Sequence, residues 1–116
     1  MTAENHECIT LCWEARTTCL DTLMNHCLVK GGAHVDADHV KIMLDCIELC
    51  QVTADFLKRG SELHRAVCTA CASVCEACAR SCEIVGKDEK MKHCAEVCRR
   101  AAEACQQEGR KLNRAA

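Results

Sequence analysis

The sequence predicts an all-α protein, an antiparallel up-down-up-down four-helix bundle with a cysteine-lined core, and three features predict it. Proline is absent from all 116 residues, the five glycines fall mostly at breaks between segments of helical length, and cysteines recur three and four residues apart. That spacing keeps successive side chains on one stripe of an α-helix. Short links between helices of similar length make neighbours antiparallel. A chain of this size buries a single core, so one domain is expected over residues 1–116.

The first helix is expected over about residues 3–30, stopped by Gly31-Gly32, because glycine tolerates the left-handed backbone of a helix end. The second is expected over about residues 36–59, with Asp36 as its N-cap and Gly60 after it. The third covers about 61–85, starting from Ser61 as cap with Glu62 in its first turn, and stops before Gly86. The fourth runs from Asp88 over about 88–111, with Gly109 marking its fraying end. Each segment carries a Cys-x3-Cys pair: Cys8/Cys12, Cys46/Cys50, Cys71/Cys75 or Cys78/Cys82, and Cys94/Cys98.

The third helix shows the stripe most fully. Cys68, Cys71, Cys75, Cys78 and Cys82 share one face, and charged Glu76, Arg80 and Glu83 flank it as an outward surface. The fourth repeats the phase as Met91, Cys94, Cys98, Ala101 and Cys105. The first gives Cys8, Cys12, Ala15, Cys19, Thr22 and His26, and the second His39, Met43, Cys46, Cys50, Thr53 and Leu57. Cys27 sits one residue off this phase.

Composition narrows the function. With one Phe, one Trp and no Tyr, cysteine takes the place of bulky core formers, whereas a core chosen for stability alone would use Leu, Ile and Val. A net charge of −2 with interspersed signs argues against nucleic acid or an anionic membrane as partner. No apolar stretch approaches membrane-spanning length, and the N-terminus has no secretory pattern. The expected compartment is the cytoplasm, where thiols stay reduced.

Cysteines three and four apart on one helix project staggered sulfurs that fit disulfide geometry poorly. Two Cys-x2-Cys units, Cys68/Cys71 and Cys75/Cys78, raise a thiol redox protein as an alternative, but the strand such a motif needs is not evident. No enzyme is expected.

Soft thiolates select copper(I), zinc or iron–sulfur clusters. Zinc wants isolated sets of four ligands, and the loop-borne cysteine runs of iron–sulfur proteins are missing. Copper(I) accepts two or three thiolates and shares bridging sulfurs, and a monovalent ion cancels thiolate charge about one for one. Multiple copper(I) ions per chain are therefore expected on Cys8, Cys12, Cys19, Cys27, Cys46, Cys50, Cys68, Cys71, Cys75, Cys78, Cys82, Cys94, Cys98 and Cys105. Met43, His64 and Met91 extend this set at the bundle mouths, with His6, His26, His34, His39 and His93 nearby. A zinc or cadmium thiolate buffer of metallothionein character is the alternative in the same class, and a bundle with inert thiols the alternative outside it.

These stripes, with cysteine on the inner face of four consecutive helices, closely resemble the bacterial copper storage proteins. The resemblance covers nearly the whole chain and implies a homotetramer of four-helix bundles that holds many copper(I) ions as a cytosolic store or sink. Trp13, beside the Cys12 stripe, would serve such an interface. Ala15, Thr22, Thr53 and Ala101 stand where richer members carry cysteine, which implies a lower capacity and a copper chain interrupted near helices one and two.

Overall fold

Long proline-free runs let the backbone close its helical hydrogen bonds without interruption. In the computed structural model, which describes residues 3–111, four helical rods result. The outermost ends of the expected 1–116 domain lie outside the described residues. The first rod, α1, occupies residues 3–30: α-helix Ala3–Thr22, a π-helical turn Leu23–Cys27 and a last α-turn Leu28–Lys30. A 3-10 turn, Gly32–Val35, leads into α2 (Ala37–Lys58), followed by α3 (His64–Val85) and α4 (Glu89–Arg110).

The helix ends follow from backbone hydrogen-bonding needs. Gly31 and Gly32 both take positive φ, 72° and 59°. Gly60, at φ 69°, closes α2 by donating to the Leu57 carbonyl at 3.1 Å while Ser61 N–H donates to Phe56 at 3.0 Å, a paired closure that satisfies two otherwise orphaned carbonyls. Asp88 caps α4 by accepting from Met91 N–H at 3.4 Å, whereas Asp36 holds the cap position of α2 without a side-chain bond. Ser61 does not start α3. Its N–H is used to close α2 and its hydroxyl accepts from Leu63 N–H at 3.1 Å, so the helix begins at His64 and Glu62 precedes it.

Cross-helix contacts fix the antiparallel order. Cys8 and Cys105 meet at one end of α1 and α4, and Cys27 and Met91 at the other. Cys50 meets Cys71 while Met43 meets Cys82, which runs α2 against α3. Each helix packs on its two sequence neighbours and α1 closes the ring on α4. The rod measures 52 × 18 × 18 Å.

The π-turn corrects the expected phase of α1. A π-turn accommodates one extra residue, so beyond Thr22 the inward stripe passes through Leu23 and Cys27, both fully buried, and His26 swings to the flank. Cys27 thus takes the inward place that regular α-periodicity gave to His26.

Gly109 is the penultimate residue of α4, at the end where it was expected. It packs on α3, and a Cβ there would collide with Thr69 Oγ1 and stand 3.3 Å from Thr69 N. The hydroxyl is tied to the Arg65 carbonyl at 2.9 Å, so it cannot yield freely. In a helix interior Gly→Ala ordinarily gains about 1 kcal/mol, but overpacking costs about 1–3 kcal/mol. Gly109→Ala is therefore expected to be neutral or destabilising in the native chain and stabilising in a Thr69→Ala background. Urea midpoints of the four proteins in this cycle measure the coupling, and equal effects in both backgrounds would remove the close-approach role.

Candidate metal centre

All fourteen cysteines are free thiols and buried, and every helix contributes some. Their sulfurs approach across the bundle axis at 3.4 Å for Cys19–Cys98, 3.5 Å for Cys50–Cys75 and Cys12–Cys105, and up to 4.0 Å for Cys19–Cys46. A disulfide requires about 2.05 Å. A metal bound at about 2.3 Å from each sulfur places three or four sulfurs about 3.8–4.0 Å apart, so the thiols are close to the spacing a shared ion needs.

Four groups of sulfurs lie within 4.8 Å of one another: Cys8/Cys12/Cys105, Cys12/Cys50/Cys71, Cys46/Cys50/Cys75 and Cys19/Cys46/Cys78/Cys98. Cys12, Cys46 and Cys50 each belong to two groups, so the groups join into one chain of sulfur. Ala15, Thr22, Thr53 and Ala101 contribute no sulfur to this chain. These residues are buried on the inner face without sulfur, but Cys50, Cys71 and Cys75 on α2 and α3 carry the contacts across that level.

Removing thiol protons here has a directional pattern. Thiol–thiol hydrogen bonding holds Cys19 well above the ordinary range, with Cys46 the largest cause, and pulls Cys46 below it through the reciprocal contact. Cys105 is held up mainly by Cys12, and Cys8 is pulled down mainly by Cys105. Cys78 comes down to about 6, chiefly through Cys19. Within such contacts one sulfur keeps its proton and its neighbour is where negative charge first settles. Burial opposes ionisation at each of these sites, and at Cys27 it dominates, pushing that thiol up to about 11.

The two mouths differ in donor type. Where α1 ends and α4 begins, Cys27 Sγ lies 3.6 Å from His39 Nε2 and 3.8 Å from Met91 Sδ. His39 Nδ1 pairs with Ser81 Oγ at 2.8 Å, and burial favours the neutral imidazole. Met43 Sδ receives Cys78 and Cys82, both at 3.6 Å. These are weaker soft donors placed directly after the thiols.

The opposite mouth is closed by an acid. Glu108 is fully buried, accepts from Asn5 Nδ2 at 3.1 Å, pairs with Lys111 Nζ at 2.7 Å and faces His64 Nε2 at 4.0 Å. His64 donates from Nδ1 to the Ser61 carbonyl at 2.7 Å, so its partners are this carbonyl and Glu108 rather than a thiol.

Met43, Met91 and the fourteen cysteines therefore come together, and His39 joins them. His64 is half-buried at the acid end, His6 and His93 are exposed, and His26 and His34 gather at Asp88. Sequence reasoning passed over Glu108 and Leu23. Glu108 was findable, since it stands three residues past Cys105 on the same stripe. Leu23 was not, because only the π-turn brings it inward.

Known proteins of the same architecture bear on what the cluster holds. The chain matches the family described as copper storage protein over residues 1–109. The Nmul_A1745 protein from Nitrosospira multiformis is similar at 40% identity, with TM-score 0.88 over 94% of this chain and 97% of that one. A Cu(I)-bound copper storage protein, BsCsp3, shares the fold at 23% identity and TM-score 0.84, covering 91% of this chain and 98% of its own. Apo-Csp3 from Bacillus subtilis shares it at 22% identity and TM-score 0.78, over 88% and 95%. No curated protein matches. With a family match spanning nearly its full length, the chain belongs to the copper storage protein family.

Proposed function

We propose that this chain stores copper(I) in the cytoplasm as a thiolate-bound cargo, without catalysing a reaction. The overlapping sulfur groups carry the reading. Sulfurs that belong to two groups suit an ion that accepts bridging thiolates and brings one positive charge per site, because uncancelled thiolate charge in an apolar core is prohibitive. The fourteen cysteines are the proposed ligands, with Met43, Met91 and His39 buried at one mouth and His64 beside the acid at the other.

A zinc buffer draws support from one group, Cys19/Cys46/Cys78/Cys98, which offers four sulfurs. The remaining groups offer three and share members, which leaves isolated tetrahedral sites short of ligands. The redox alternative fits less well: the four thiols of the two Cys-x2-Cys units, Cys68/Cys71 and Cys75/Cys78, lie inside one helix and are fully buried, so none is presented to a disulfide substrate.

Assembly as a homotetramer belongs to the same proposal. Exposed apolar side chains on α1 and α2, among them Trp13, Leu44 and Val52, give such an assembly a surface to cover. Light scattering of the purified protein reads its mass directly.

Anaerobic titration of the reduced protein with copper(I) against a competing chelator is expected to saturate at on the order of one ion per thiolate. Saturation at about three ions or fewer, the number fourteen thiolates hold when used four at a time, would overturn storage through shared sulfur. Cys50→Ser is expected to remove more copper than Cys68→Ser, since Cys50 belongs to two groups and Cys68 to none of the four. Equal losses would contradict bridging.

The copper-free bundle also has an alkaline limit. Burial raises Cys27 from 9.0 to about 11, so the neutral thiol's stabilising share is complete below the unfolded value and is lost as pH rises through the folded one. Denaturant midpoints of the reduced apoprotein should fall between about pH 9 and pH 11, and fall less in Cys27→Ala. An unchanged difference between the two proteins across this range would show that Cys27 does not contribute.

A further inference from the structure

Beyond the thiolate core, a second donor cluster stands at the mouth where α1 ends and α4 begins, and it contains no sulfur. His26, His34 and Asp88 each present one donor atom, all within 4.8 Å of one another. His26 Nε2 pairs with Asp88 Oδ2 at 2.8 Å, whereas His34 Nε2, 3.6 Å from Oδ1, has no hydrogen-bond partner. His34 is 6% exposed, so this is a buried polar atom left unpaired. Such an atom is costly unless something else satisfies it.

The surroundings keep the space between these donors open. A Cβ on Gly86 would stand 2.6 Å from Asp88 Oδ1 and 3.2 Å from His34 Nε2. The His26 and His34 rings meet edge to face with centroids 5.4 Å apart, so the two nitrogens reach Asp88 from different directions. Three separate segments supply the donors: the α1 end, the 3-10 turn and the cap of α4.

We propose that His26, His34 and Asp88 form a second metal site that takes a divalent borderline cation of the zinc type, separate from the copper(I) core. Two imidazoles and a carboxylate suit such an ion, which binds these donors at about 2.0–2.2 Å and keeps a further position for water. A soft monovalent ion has sulfur at Cys27 and Met91 to prefer, so the nitrogen and oxygen donors discriminate against it. Two neutral imidazoles and one carboxylate leave a divalent site at a net single positive charge, tolerable because Asp88 is 31% and His26 19% exposed. An occupied site ties the connecting turn to both helix ends beside Cys27.

Cobalt(II) titrated into the copper(I)-loaded protein tests this, because the occupied thiols are then unavailable to it. One equivalent per chain is expected to bind with visible ligand-field bands and without thiolate-to-cobalt charge-transfer absorption. His34→Gln and Asp88→Asn should each weaken binding at least ~10-fold; asparagine keeps the helix cap, so loss in Asp88→Asn reports ligation rather than folding. His93→Ala, at an exposed position of the same mouth, should bind as the native chain does. Absence of cobalt binding, a thiolate band, or native affinity in Asp88→Asn would each overturn the site. Failure of the chain to load copper(I) at all would instead defeat the storage reading. The cobalt test then moves to the reduced chain, where Asp88→Asn should remove the sulfur-free bands and spare the thiolate bands.

Discussion

Sulfur can face the axis of a closed helix bundle only as a neutral thiol or as a thiolate whose charge a bound cation cancels. The remaining features of this molecule follow from that constraint. The thiols here hydrogen-bond to one another across the axis, so the metal-free core holds its protons in a connected network rather than as isolated polar groups. Burial and thiol contacts resist the loss of protons at most sites, and a cation that replaces a proton one for one leaves the interior close to neutral. A folded apo state and a folded loaded state are then both available to the same backbone.

Small side chains give the axis its sulfur and deprive it of volume. Fourteen cysteines with Ala15, Ala79 and Ala101 occupy positions where Leu or Ile would bury more apolar area. Close helix approach compensates, as at Gly109 against Thr69, where the absence of a side chain lets α4 lie on α3. Ion pairs on the outer surface, Arg99 with Glu76 and Glu83, join the same two helices but are exposed and contribute little alone. The stability of the bundle therefore rests more on dense packing of many small groups than on any large apolar residue.

The four rods were legible because the three- and four-residue cysteine steps, the glycine breaks and the Asp88 cap each state one local rule. Where the reading failed, a second use of the same group was responsible. Ser61 has the chemistry of an N-cap, but its N–H closes the preceding helix and its hydroxyl stabilises the intervening turn, so α3 starts later. The phase of α1 failed beyond Thr22 because a π-turn leaves no signature in periodicity except the apparent misplacement of Cys27 itself. Pairing across helices was not legible at all. The stripes say which sulfurs face inward, but the helix offsets that group Cys12 with Cys50 and Cys71, or Asp88 with His26 and His34, are set by packing.

Donor type changes along the axis in an order that has chemical meaning. At one end the α4 stripe finishes in a buried carboxylate, Glu108, held by Asn5 and Lys111, a group that is hard, already paired and unattractive to a soft cation. Next along come thiols without interruption, then the thioethers of Met43 and Met91, then the imidazole of His39 against Cys27. Imidazole and thioether thus stand beside thiols at this mouth, while the other end of the axis finishes at a charge that a soft cation cannot usefully bind.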